Sequence, residues 1–128
     1  MKGSIKVVAS ALLVVAVLFV GSLAGAAEVG ERDLAKLSPQ DVKVLLENDR
    51  VRVLEVRHQP GVKEPMHSHP AYISYFLDAT KVKVTTPDGK TTVRDRKAGE
   101  IQFSEPTTHA LENIGTTEQH VLVVELKK

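Results

Sequence analysis

Two histidines separated by one residue, His67 and His69 in the stretch Pro65-Met66-His67-Ser68-His69-Pro70, are the residues of this chain best spaced for chemistry. On an extended strand, side chains two apart leave the same face about 7 Å apart at the backbone, so both imidazoles can reach one metal ion. A third histidine, His109, lies further along, and its ring completes a ligand set if folding brings it to the same face. The competing reading is that these are ordinary buried or surface histidines, since His is common in both places. Other chemistries find no footing. The 128-residue chain has no cysteine, which removes disulfides, thiolate metal sites and a cysteine nucleophile. No Gly-x-Ser-x-Gly elbow or Gly-rich phosphate loop occurs. Ser68 and Ser74 stand near histidines, but no Asp is placed to complete a triad.

The first 27 residues have the layout of a secretory signal. Lys2 and Lys6 precede an apolar run from Val7 to Val20, and small residues follow through Ala27. A signal peptide over 1–27 implies a periplasmic or secreted protein with no membrane contact once the signal is cleaved; an uncleaved anchor is the alternative, because the run is long enough to span a bilayer. The formal charge is +1, and without Lys2 and Lys6 the remainder has 15 Lys plus Arg against 16 Asp plus Glu, a net of −1. Nucleic-acid binding has no electrostatic footprint in such a chain.

Residues 28–41 read as an N-terminal arm with Leu34 and Leu37 and a Ser38-Pro39-Gln40-Asp41 start signal able to cap a short helix. From 42 to 128 the pattern is short strands punctuated by turns. Val42–Leu46 and Val51–His58 flank an Asn48-Asp49 turn. Tyr72–Leu77 is apolar on both faces, as a central strand should be. Lys81–Thr86 and Thr91–Arg94 form a hairpin around Pro87-Asp88-Gly89, with the threonines on the wet side. Glu100–Phe103, His109–Asn113 and His120–Leu126 complete the set. No long helix is expected. This is the signature of an all-β sandwich or small barrel.

The histidine stretches resemble the two motifs of the cupin superfamily. Gly61, five intervening residues, then His67-Ser68-His69 match Gly-x5-His-x-His, and Gly99, Pro106 and His109-Ala110-Leu111-Glu112-Asn113 are similar to the second motif's Gly, Pro and His-x3-Asn. The lead-in Glu47-Asn48-Asp49-Arg50-Val51-Arg52-Val53 looks like that of small single-domain cupins associated with β-alanine degradation. The resemblance implies a double-stranded β-helix over 42–128, with a metal or substrate site in the barrel mouth and His67, His69 and His109 as metal ligands. It departs from the family where a Glu normally follows the pair by four or five residues: Ile73 and Ser74 stand there, and no Asp or Glu occurs between His69 and Asp78. Pro106 is also out of register, and Thr107-Thr108 replace a usual Gly.

Three neutral imidazoles without a carboxylate leave the full charge of a divalent ion on the site, which favours anionic ligands and suits Fe, Zn, Ni, Cu or Mn. The implied function is a metal-dependent enzyme, dioxygenase-like, acting on a small molecule, with a non-catalytic binding or sensing module as the alternative and, as a third reading, a barrel that has lost its site and serves only in assembly, as a homodimer through an edge strand. Around the ligands, Gln102, Tyr75 and Glu112 are candidate partners for the imidazole N–H groups, though an unrelated surface role is the commoner fate of such residues. Phe103, Tyr72 and Phe76 are candidates for the pocket mouth. His58 and His120 read as strand-end residues with no ligand role, and Glu64 as a solvated charge, with reach to the metal from the loop as its alternative.

Overall fold

Strict alternation along Gln119–Leu126, buried at Gln119, Val121, Val123 and Glu125 and half-buried between them, marks a strand with one face on a core. The same logic builds the whole molecule. A computed structural model describes residues 30–128 of the protein; the expected signal peptide over 1–27 lies outside them. Nine strands run through the described residues: β1 (Val42–Glu47), β2 (Val51–His58), β3 (Lys63–His69), β4 (Tyr72–Phe76), β5 (Thr80–Thr85), β6 (Thr91–Arg96), β7 (Ile101–Ser104), β8 (Thr107–Asn113) and β9 (Gln119–Leu126). A four-residue helix, α1 (Leu34–Leu37), precedes them.

The strands form two antiparallel sheets, ordered β1-β2-β9-β4-β7 and β3-β8-β5-β6. The chain crosses repeatedly from one sheet to the other, the double-stranded β-helix expected from the sequence. Leu34, Val42, Leu54, Val56, Tyr72, Phe76, Val121 and Val123 make the main core cluster. Val82 and Val84 are buried on the facing sheet.

Several local expectations are met for identifiable reasons. Asn48 Oδ1 accepts from the Arg50 and Val51 amides and closes the β1–β2 turn. β4 lies between β9 and β7, the central position expected of it, with Tyr72, Ser74 and Phe76 buried on the inner face and Tyr75 exposed on the outer one. β2 shows two apolar parities because Leu54 and Val56 face the core while Val51 and Val53 are half-buried on the other side. A bulge falls on its neighbour β1, between Val44 and Leu46.

The N-terminal arm differs from expectation. The helix is capped by Asp33, whose carboxylate accepts from the Ala35 amide, while Ser38 closes its C-terminal end. The start signal therefore sits five residues earlier than the Ser38-Pro39 pattern suggested. Leu34, 2% exposed, fills the core rather than lying on a polar arm.

Candidate metal centre

His67 and His69 lie on β3 with their side chains inward, and Ser68 between them turns away to hydrogen-bond Thr108. In the β3–β8 ladder His67 stands directly opposite His109, so the third imidazole enters from the neighbouring strand. The ring centroids are 4.8 Å (His67–His69), 4.7 Å (His67–His109) and 5.6 Å (His69–His109) apart, all edge-on rather than stacked. One nitrogen from each ring lies within 4.8 Å of the others. All three residues are buried, His67 completely. The convergence that the spacing required is present.

Hydrogen bonds fix which nitrogen faces inward. His67 Nδ1 donates to the Pro65 carbonyl at 2.8 Å, and His69 Nδ1 donates to Glu125 Oε1 at 2.6 Å. A carbonyl and a carboxylate only accept, so the proton sits on Nδ1 and the Nε2 lone pair is left free. Nε2 of His67 and of His109 are buried with no hydrogen-bond partner. A buried polar atom without a partner costs about 1–3 kcal/mol, so two such atoms within one cluster require a reason. A divalent cation shared by the three rings supplies one, and the donor set suits it.

Electrostatics keep these rings in the form a metal needs. Burial, then the neighbouring His69 ring, pushes His67 down to about 4. Burial, then His67, His69 and Arg94, pushes His109 down to about 3. Both are neutral at pH 7, with lone pairs available.

The His69 bond leads into a longer chain. Glu125 on β9 also accepts from Arg52 Nε at 2.7 Å, and the Arg52 guanidinium forks onto both oxygens of Asp33 at 2.8 and 2.9 Å. Burial acts to raise the Glu125 carboxyl, but the bonds to His69 and Arg52 outweigh it and hold the group below its ordinary value. Asp33 is likewise lowered, its pairing with Arg52 outweighing burial. The helix cap, β2, β9 and β3 are thus connected to one ligand ring.

Glu125 takes the place that Gln102, Tyr75 and Glu112 were considered for. Glu112 points outward to Lys83 and Lys63, and Tyr75 is exposed on the outer face. Gln102 lies at the cavity but bonds Arg96 and Ser104. Tyr72 and Phe76 line the cavity as expected, while Phe103 is 56% exposed on the opposite face. His120 pairs with Glu55 near the surface, consistent with a strand-end role.

One expectation is corrected: Glu64 is 3% exposed, not solvated. His58 ends β2 as expected and is itself buried, at 1% exposed. Glu64 Oε1 lies 3.1 Å from His58 Nδ1, and Glu64 Oε2 lies 3.4 Å from His67 Nε2. Burial, reinforced by the charge of Asp41, pushes Glu64 up to about 8. The cause of the misreading is a bulge in β3 between Glu64 and His67, where the register with β8 slips. In a regular strand residues three apart face opposite sides; the extra residue turns both inward. Pro65, which has no amide to donate, sits within that irregularity.

The motif residues outside the ligand set have structural roles. Gly61 and Gly99 adopt φ of 84° and 81°, where a Cβ is strained. Asn113 donates to the carbonyls of His58 and Thr117 and accepts from the Gly115 amide, tying the end of β8 to two other segments.

Beside the histidines lies a cavity of about 70 Å³ lined by Glu64, His69, His109, Tyr72, Arg94 and Arg96 among others. A single water needs about 10–15 Å³ on this measure, so the space fits a few waters or a very small molecule.

No protein-family model and no curated protein matches the chain. Solved structures do. A cupin domain from Bordetella pertussis is 26% identical, with a TM-score of 0.63, over 68% of this chain and 92% of that one. An RmlC-like cupin family protein with a double-stranded β-helix fold from Methanocaldococcus jannaschii is 19% identical, TM-score 0.54, over 67% and 78%. The polyketide cyclase RemF from Streptomyces resistomycificus is 22% identical, TM-score 0.52, over 68% and 64%. With the two-sheet architecture these neighbours share, and with its histidines converging on adjacent strands, the chain belongs to the cupin superfamily.

Proposed function

We propose that this cupin is exported, that His67, His69 and His109 hold one divalent metal ion, and that a small, preferably anionic molecule is turned over there, with dioxygenation the first reaction to test. The observation that carries the reading is the meeting of three buried imidazoles, two with partnerless Nε2 atoms, beside a small cavity. Export rests on the layout of the first 27 residues.

A bound divalent ion supplies Lewis-acid chemistry and, if redox-active, one-electron chemistry. The chain's own residues supply the rest. Pro65 and Glu125 hold two rings in the tautomer that presents Nε2. Arg94 and Arg96 place positive charge along the cavity, which favours an anionic substrate. Arg96 is held by Glu100 and Gln102, whereas Arg94 acts on His109 through its charge. Phe76, Val82, Val84 and Leu111 form an apolar lining that restricts water.

The test is oxygen uptake by iron-loaded protein against small thiols, diketones and carboxylates, with His109→Ala as control. Substrate-dependent uptake lost in the variant supports the enzyme. Silence across the panel from protein with a full complement of metal assigns the fold to a binding or sensing module instead.

A further inference from the structure

We propose that the outer face of the five-stranded sheet is the interface of a symmetric dimer, in which two copies of this chain pack sheet on sheet with β9 at the centre. An antiparallel sheet with one wet face ordinarily alternates apolar inward and polar outward. The four-stranded sheet keeps that rule: Lys81, Lys83 and Glu112 point away from buried Val82 and Val84. The five-stranded sheet breaks it. Leu46, Val53, Val124, Ile73 and Phe103 stand opposite one another, one from each strand, in a single row across the whole outer face. The bulge in β1 completes the row, because Val44 pairs with inward Leu54 and the register shift then sets Leu46 beside outward Val53. Leu122, Tyr75 and Ile101 form a second row beside it, and Val51 pairs with Leu126 on the other side.

These apolar side chains stand open to solvent: Leu46 is 48% exposed, Tyr75 38%, Ile101 67% and Phe103 56%. β7 is an edge strand, so Ile101 and Phe103 leave an apolar edge of the kind that associates. Charged groups rim the patch, as they do at interaction sites. Glu55, Arg57, His120 and Glu118 pair with one another at one end, and Lys127 with Glu47 at the other. The size fits a second copy. Five strands and the eight residues of β9 span a plane of about 650 Å² before side-chain relief is counted. That approaches the roughly 800 Å² that each partner buries in a standard interface. β9 is the middle strand of the five, so a twofold axis along it lays β9 over its counterpart and β1 over β7. Leu46 of one copy then meets Phe103 of the other, and the two most exposed ends of the row cover each other. The contact uses the sheet face rather than edge-strand pairing, and it is independent of the metal site.

Sedimentation equilibrium of the purified chain from micromolar to near-millimolar concentration tests this, with circular dichroism as the check on folding. Wild type is expected to dimerise. Phe103→Glu, which sets an unpaired carboxylate against Leu46 of the second copy, should weaken association at least about tenfold, and adding Leu46→Lys to it should restore most of the loss. Val93→Glu, at a 53% exposed site on the other sheet, should change nothing. If Phe103→Glu does not fold, Leu46→Lys alone makes the same test from the opposite edge. Monomeric wild type would overturn the inference, as would a dimer that both single variants leave intact. Monomer that sediments with phosphatidylcholine vesicles also overturns it and gives the face to a lipid surface. Weakening in the single variants without restoration in the double supports the face and overturns the axis. All the variants keep residues 1–29, so a difference among them reports on the sheet.

Discussion

His69 donates its Nδ1 proton to Glu125 across 2.6 Å, and this bond joins the two sheets. It spans 56 residues of sequence and, through Arg52 and Asp33, ties the orientation of one imidazole to the helix cap.

Glu125→Gln should therefore weaken metal binding more than its distance from the ion suggests. An amide can present its NH2 group to His69 and reverse the ring's preferred tautomer, and it no longer complements the Arg52 charge. A fall in affinity of about 10- to 100-fold is expected, with a stability loss of about 1–3 kcal/mol. Competitive chelation and urea denaturation measure the two separately.

The metal-free protein should have a stability maximum near pH 6.5. His67 and His109 titrate at about 4 and 3 in the fold against 6.5 unfolded, so below pH 6.5 the unfolded chain binds more protons and stability falls with acid. His58, lowered chiefly by burial, adds to that arm. Glu64 acts oppositely: at about 8 folded against 4.5 unfolded, its contribution is complete below pH 4.5 and is lost as pH rises towards 8. Between 4.5 and 6.5 the two histidines outweigh one carboxyl; above 6.5 Glu64 alone sets the slope. Urea midpoints at pH 5, 6.5 and 8 should show the maximum, and Glu64→Gln should flatten its alkaline side.

Asn113→Ala should destabilise the fold by about 1–3 kcal/mol, since it leaves the buried His58 carbonyl unpaired and removes two part-buried bonds, to the Thr117 carbonyl and from the Gly115 amide. Leu54→Ala, at a fully buried site on β2 outside the ligand strands, should cost about 2–5 kcal/mol. Thermal unfolding of the metal-free forms reads both, and the Leu54 variant should keep its metal stoichiometry at temperatures where it remains folded.

What the sequence disclosed and what it withheld divide along a physical line. The His67–His69 pair was legible because strand periodicity is local and both residues lie beyond the bulge. The strands from Val51 onward were legible for the same reason. Glu64 was hidden because its facing depends on a register slip against β8, which no local pattern encodes. Glu125 was hidden because its importance lies in a contact with a strand far away in sequence. Phe103 was misplaced because alternation gives two faces without saying which is inside; Gln102 and Ser104 took the inner one on β7. Asp33 and Ser38 competed for one helix, and the side chain with a carboxylate in reach of the Ala35 amide capped it.

Metal content of the purified chain after reconstitution, measured by elemental analysis for wild type and His109→Ala, bears most directly on whether side chains from β3 and β8 share one ion. One equivalent per wild-type chain, falling to near zero in the folded variant, is the predicted result. The same metal content in both proteins would contradict it.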